Sequence, residues 1–150
     1  MALYKTHTKF NIFLTLPIFI FIMYYFLNAH YSLMLTFSIC FIYSTYFMNP
    51  DLDLANKIKL LSIRGILSLP FRGYSLIFKH RGISHSPFFG TLTRVGYLGS
   101  FFYLIILFFD IQLINKNEFI NVLKSELFLY GFLGIFFSDI SHLILDKISS

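Results

Sequence analysis

Long apolar runs separated by short polar segments set the pattern of this chain. One run extends from about residue 10 to 27 and a second from about residue 31 to 48, with the polar turn Asn28-Ala29-His30 between them. A third extends from about residue 87 to 109 and a fourth from about residue 126 to 146. At about 1.5 Å per residue, an α-helix of this length crosses roughly 30 Å of hydrocarbon. The pattern predicts an all-α integral membrane bundle of about four transmembrane helices.

The polar segments contain one further predicted helix. Residues 49–86 form the longest segment between spans and carry most of the charge. Within it, residues 57–67 combine basic and apolar side chains as expected of a short amphipathic helix in the membrane interface, and Pro70 follows. Residues 110–126 form a polar loop between the third and fourth spans. No repeat or low-complexity linker divides the chain, so residues 1–150 are predicted to form a single membrane-embedded domain.

The composition supports a membrane protein and excludes an ordinary soluble enzyme. Hydrophobic residues make up 57% of the chain and charged residues 13%, and the mean hydropathy is +0.72. Cys40 is the one cysteine and lies in an apolar run, which excludes a disulfide framework and a thiolate metal site. We therefore expect the lipid bilayer as a partner, and no nucleic acid as a stable one.

Basic residues are distributed unequally between the two sides that four spans would create. Side A comprises the amino terminus, residues 49–86 and the carboxyl terminus, and side B comprises residues 28–30 and 110–126. Ten of the 12 basic residues fall on side A. They are Lys5, Lys9, Lys57, Lys59, Arg64, Arg72, Lys79, Arg81, Arg94 and Lys147, against Lys116 and Lys124 on side B. The positive-inside rule makes side A cytoplasmic, which predicts a multi-pass protein of the bacterial inner membrane with both termini in the cytoplasm.

Asp139, His142 and Asp146 interrupt the apolar fourth run. Their spacing places all three within about 60° of one another on one face of a helix. A carboxylate near the middle of a membrane helix costs about 2.5–3.5 kcal/mol on insertion scales, and a bound cation offsets that cost. Two carboxylates and an imidazole suit a metal ion, so we predict a metal site on this face. A polar helix end that surfaces into water would show the same residues.

Ligand-type side chains from other segments also fall on side A. An aspartate pair follows the second span, and a histidine pair five positions apart precedes the third. Together with the three residues of the fourth run and a histidine near the amino terminus, these pairs make eight candidate ligands. A single ion takes about four to six ligands. We predict one or two divalent ions, with zinc first and manganese, iron or magnesium as alternatives. The eight residues are His7, Asp51, Asp53, His80, His85, Asp139, His142 and Asp146.

Metal-assisted hydrolysis is the reaction class that these ligands favour. Side A carries a formal charge of +6, ten basic residues less four aspartates, which suits an anionic phosphoester substrate, free or lipid-linked. The residues predicted to take part in catalysis are Asp53, His85 and Arg81. Those predicted to contact the substrate or to support the metal ligands are Ser84, Arg94 and Asp139.

The motifs, in their order along the chain, resemble those of known membrane families. They are Thr6-His7, Pro50-Asp51-Leu52-Asp53, His80-Arg81-Gly82-Ile83-Ser84-His85-Ser86 and Ser141-His142-Leu143-Ile144-Leu145-Asp146. This order is similar to that of the YdjM-like inner-membrane metal-dependent hydrolases. It is closer still to a related family of small bacterial metal-binding membrane proteins, to which Gly90-Thr91-Leu92-Thr93-Arg94 also corresponds. The resemblance implies phosphoester hydrolysis and a metal site formed by His7, Asp51, Asp53, His80, His85, His142 and Asp146.

Two other functions stay open at the level of sequence. A metal-independent lipid phosphatase with a histidine nucleophile is suggested by Lys57-x6-Arg64, Ser84-His85 and His142-x3-Asp146, although Gly65 stands where that signature has proline. A non-catalytic membrane adaptor would use the metal only to hold the end of the bundle together. Loss of activity in a chelator, with recovery on adding metal, would distinguish a metal-dependent hydrolase from both.

Overall fold

The computed structural model describes residues 4–48, 71, 73–74, 86–109 and 116–149. In these ranges the regular structure is helical, without strands. Its elements are α1 (Tyr4–Phe10), a π-helical segment (Asn11–Thr15), α2 (Leu16–Tyr25), α3 (Tyr31–Phe47), α4 (Pro87–Phe108), α5 (Lys116–Leu123) and α6 (Glu126–Ser149). The predicted all-α fold is confirmed for this part of the chain. The predicted interfacial helix at 57–67 lies outside the described residues.

Within the described ranges, three helical segments are long and apolar enough to cross a membrane. They are Thr6–Tyr25, Phe88–Ile106 and Glu126–Ser149, and they correspond to the first, third and fourth predicted spans. Helix α3 is apolar but has 17 residues, a length of about 26 Å against roughly 30 Å of hydrocarbon. Three described helices therefore have the length and hydropathy of membrane spans, and a fourth crossing by α3 stays a prediction.

The first helix begins earlier than its apolar run. Helix α1 starts at Tyr4, whereas the run starts at about residue 10, so His7 lies on a helix. Hydropathy marks the length of helix that hydrocarbon can cover, and polar residues with ordinary helix propensity can continue the same helix into water. The prediction of a span starting near residue 10 therefore missed the turns that carry His7.

A π-helical turn lies between α1 and α2. The amide of Leu16 donates to the carbonyl of Asn11, which is an i to i+5 bond. This wider turn takes up one residue more than an α-helical turn, so His7 and Asn11 stay on the buried face that continues at Leu16. Pro17, which has no amide hydrogen, follows immediately and is the sequence signal for the interruption.

Helices α3 and α6 form the most extensive helix pair in the described part of the chain. A Cβ added to Gly131 would lie 3.3 Å from Cys40 Sγ, and one added to Gly134 would lie 2.5 Å from the carbonyl oxygen of Phe37. Small residues at such positions let membrane helices approach until their backbones are close. Phe37 and Phe41 are buried beside this contact and pack against apolar side chains of α2, which continues the first helix. The carboxyl-terminal helix is thereby held next to both α3 and the amino-terminal helix.

The two predicted connections differ in outcome. The turn between α2 and α3 is confirmed: Asn28 has a φ of 46°, and His30 Nδ1 accepts from the amide of Ser32 at 3.3 Å and caps α3. The 110–126 segment, by contrast, contains α5 over Lys116–Leu123 and is not wholly a loop. An eight-residue helix with mixed polar and apolar residues gives too short a periodic signal to separate it from a polar loop.

Candidate metal centre

His7, His142 and Asp146 meet where the first and last helices pack together. His7 Nε2 lies 3.2 Å from one carboxylate oxygen of Asp146, and His142 Nε2 lies 3.5 Å from the other. One ligand atom from each of the three residues lies within 4.8 Å of the other two. These residues come from opposite ends of the sequence, and the structure brings them into one cluster.

The donor set of this cluster fits a divalent cation. Both imidazoles are buried, with 3% and 2% of the surface of His7 and His142 exposed, while Asp146 is partly open. Tetrahedral ligands at about 2.1 Å from a metal lie about 3.4 Å from each other. The two nitrogen-to-oxygen distances in the cluster are close to this value, although they run to different oxygens of Asp146. Two imidazoles and one carboxylate are a combination used by zinc and by non-haem iron. The described part of the chain supplies three ligands to this group, so a tetrahedral ion here would take a fourth ligand from elsewhere.

Asn11 fixes the backbone one helical turn below the cluster. Its Nδ2 donates to the carbonyl of Ser138 at 3.2 Å and contacts Thr45 Oγ1 at 3.3 Å. Asn11 follows His7 by one turn, and Ser138 precedes His142 by one turn. The amide of Asn11 therefore holds the two ligand-bearing helices in register and ties both to α3. Sequence reasoning missed Asn11, although a second polar residue four positions after His7 in an apolar segment was a usable signal.

Asp139 lies on the same helix but is not part of the cluster. Its carboxylate forms a two-pronged ion pair with Arg94, with Nη1–Oδ1 at 3.1 Å and Nη2–Oδ2 at 2.8 Å. Ser44 Oγ and Thr91 Oγ1 also donate to it. Asp139 and Arg94 are 0% and 1% exposed. The guanidinium of Arg94, which the sequence predicts to contact the substrate, is thus paired with a buried carboxylate.

The other predicted site residues lie outside the described part of the chain. They are Asp51, Asp53, His80, Arg81, Ser84 and His85. Their roles as metal ligands, catalytic groups or substrate contacts stay predictions. His30, which the topology assigns to side B, caps α3 and is not among the three clustered residues.

Comparison with known proteins agrees with the donor set. The profile of the family described as uncharacterized metal-binding protein (DUF2227) matches residues 2–150. The chain belongs to this family. An uncharacterized protein of Aquifex aeolicus (strain VF5) is 34% identical to it, over 76% of this chain and 89% of that protein. No solved structure matches the chain. The predicted resemblance to a family of small metal-binding proteins is therefore confirmed.

Proposed function

We propose that this protein is an integral membrane hydrolase that uses a divalent metal ion to cleave a phosphoester. The observation that carries the proposal is the meeting of His7, His142 and Asp146 from the two ends of the chain. Neighbouring residues on one helix can share a face by chance, but His7 reaches the other two only through the packing of α1 against α6. The family to which the chain belongs is described as metal-binding, which supports the metal-binding part of the proposal.

In this proposal the chain's own residues bind the metal ion and orient the substrate. A divalent ion held by the cluster would act as a Lewis acid toward a phosphoryl oxygen. Burial of both imidazoles excludes water from two sides of the cluster, and the partly open Asp146 leaves one side accessible. Asp51, Asp53, His80 and His85 are proposed to complete one or two metal sites. Arg81 is proposed to bind the phosphoryl group of the substrate.

The charge pattern and the sequence resemblance support the choice of substrate. Ten basic residues on side A attract an anion, and their excess over side B supports a cytoplasmic orientation of the site. The resemblance to the YdjM-like hydrolases supports phosphoester cleavage in the inner membrane. Zinc is the first choice of metal because imidazole and carboxylate are common zinc ligands, with manganese, iron and magnesium as alternatives.

Metal content of the purified protein tests the binding step. We expect wild-type protein in detergent micelles to retain metal, and His7→Ala and His142→Ala each to lose most of it. His30→Ala is the matched control, because His30 is a histidine of the same chain that caps α3 outside the cluster. Equal metal content in all four proteins would exclude His7 and His142 as ligands.

Phosphoester turnover tests the catalytic step. The substrates to offer are p-nitrophenyl phosphate and vesicles that contain phosphatidic acid. We expect turnover that EDTA abolishes and added zinc or manganese restores. Activity that is indifferent to EDTA would favour the metal-independent lipid phosphatase instead.

A second function, the metal-stabilised adaptor, is favoured by one observation. The cluster joins the first helix to the last, so a bound ion would cross-link the ends of the bundle. This function predicts that chelation lowers the unfolding temperature while no phosphoester is turned over at any metal concentration. Turnover that follows metal occupancy would exclude a purely structural ion.

A further inference from the structure

Arg94 contacts separate parts of the bundle through one guanidinium group. Its Nη1 donates to the carbonyl of Met48 at 2.6 Å, at the end of α3. Its Nε donates to the carbonyl of Gly90 at 2.9 Å, one turn earlier on its own helix. Nη1 and Nη2 donate to the two carboxylate oxygens of Asp139 on α6. A planar fork of fixed geometry that is engaged on three sides cannot shift without breaking several hydrogen bonds.

Asp139 is held as firmly as its partner. Oδ1 accepts from Arg94 and from Ser44 of α3, and Oδ2 accepts from Arg94 and from Thr91 of α4. Each oxygen therefore accepts two bonds, which uses the acceptor capacity of an ionised carboxylate. Since the donors belong to both α3 and α4, they fix the rotation of α6 about its own axis at this residue.

That rotation determines where the metal ligands of α6 point. His142 and Asp146 follow Asp139 by three and seven positions and lie on the same face of the helix. His7 approaches them from a different helix, so a small rotation of α6 would move two of the three ligands away from the third. A buried ion pair contributes little net stability compared with apolar residues of similar size, which points to geometry as the reason for its presence.

We propose that Arg94 is a positioning residue for the metal centre, and that it acts through Asp139 by setting the orientation of α6. The proposal rests on the metal centre proposed above. It assigns to Arg94 no contact with metal or substrate. It also explains why a residue that sequence analysis placed near a phosphate has its guanidinium turned into the bundle.

Cobalt(II) binding provides a test that separates geometry from folding. Cobalt(II) added to metal-free protein reports affinity by titration and ligand geometry by its visible absorption bands. Arg94→Met combined with Asp139→Leu replaces the ion pair by apolar side chains and is expected to keep the helices packed. We expect this double variant to unfold no more readily than wild type, to bind cobalt(II) at least tenfold more weakly, and to show altered absorption bands.

Two milder variants and one control complete the design. Ser44→Ala removes one bond to Asp139, and Arg94→Lys keeps the charge but loses the fork; both should remain folded and show smaller changes of the same kind. Thr93→Val is the matched control, because Thr93 lies beside Arg94 on α4 but does not touch Asp139. Its hydroxyl contacts the Tyr74 hydroxyl and donates to the carbonyl of Gly90, each at 3.1 Å. This control variant should bind cobalt(II) as wild type does.

The outcomes are distinguishable. Folded double and Arg94→Lys variants with wild-type cobalt(II) affinity and absorption bands would overturn the positioning role while leaving the metal centre intact. If the double variant does not fold, the comparison of Ser44→Ala and Arg94→Lys with Thr93→Val decides in the same way. Wild-type protein that binds no cobalt(II) would remove the proposed metal centre itself, and the positioning role with it.

Discussion

The imidazole rings of His7 and His142 stack on each other, with centroids 3.9 Å apart and planes inclined by 17°. Asp146 contacts both rings through its two carboxylate oxygens. The first and last helices therefore meet ring face to ring face at the point where one carboxylate contacts both imidazoles.

His142→Phe separates ring stacking from metal binding. Phenylalanine keeps a flat ring against His7 but has no nitrogen to donate to a metal. We expect metal-free stability close to that of wild type and loss of stabilisation by metal. For wild type, metal at a hundred times its dissociation constant should add about 2.7 kcal/mol to the free energy of unfolding. Thermal unfolding in detergent with and without zinc measures both quantities, and an unchanged zinc effect in His142→Phe would contradict the assignment.

Gly134→Ala should separate α3 from α6. The added Cβ would lie 2.5 Å from the carbonyl oxygen of Phe37, a backbone atom that cannot move away cheaply. We expect a loss of about 1–3 kcal/mol in the free energy of unfolding, the usual cost of overpacking. Gly99→Ala is the control, since a Cβ there meets no atom within 4 Å. Equal unfolding temperatures for the two variants would show that the helices are not in close contact.

Asn11→Leu should weaken the join between the first and last helices. The variant leaves the side-chain contacts to Ser138 and Thr45 unmade in a buried position. We expect a loss of about 1–3 kcal/mol in stability, together with weaker metal binding because His7 lies one turn away. Thr36→Ala is the comparison, because the Thr36 hydroxyl bonds within its own helix, to the carbonyl of Ser32. Metal affinity equal in both variants would limit Asn11 to a local role.

Asp139→Asn should cost more than removing the whole ion pair. The amide cannot balance the charge of Arg94, which would then lie unpaired in a buried site. We expect a loss of about 3–5 kcal/mol, whereas the apolar double replacement is expected to be close to neutral. Unfolding by denaturant at matched detergent concentration gives the comparison. A single variant as stable as the double one would show that the buried charge is not paired as the structure indicates.

Sequence reasoning placed His7, His142 and Asp146 in one group on the basis of the predicted topology. Four predicted crossings would place His7 and Asp146 on the same side, so these two residues were expected to be near each other. The pairing of Arg94 with Asp139 was out of reach, although both residues were singled out. That pairing depends on how each helix is rotated, and helices that are apolar all round carry little information about rotation.

Local interruptions were the other features that the sequence left undecided. The π-helical turn depends on how Asn11 and Leu16 share one buried face, which becomes visible only when the neighbouring helices are in place. Pro17 indicates that the helix is interrupted, but it does not indicate that the interruption is a π-helical turn. Helix α5 was missed because eight residues span about two turns, too few for periodicity to stand out from a polar loop.

The join between the first and last helices has a consequence for biosynthesis. His142 and Asp146 follow His7 by more than 130 positions, so they leave the ribosome well after it. The three clustered residues therefore cannot come together until α6 has been translated. A metal ion that needs all three ligands could bind only after α6 is made, and a nascent protein stalled before that helix would have one of the three.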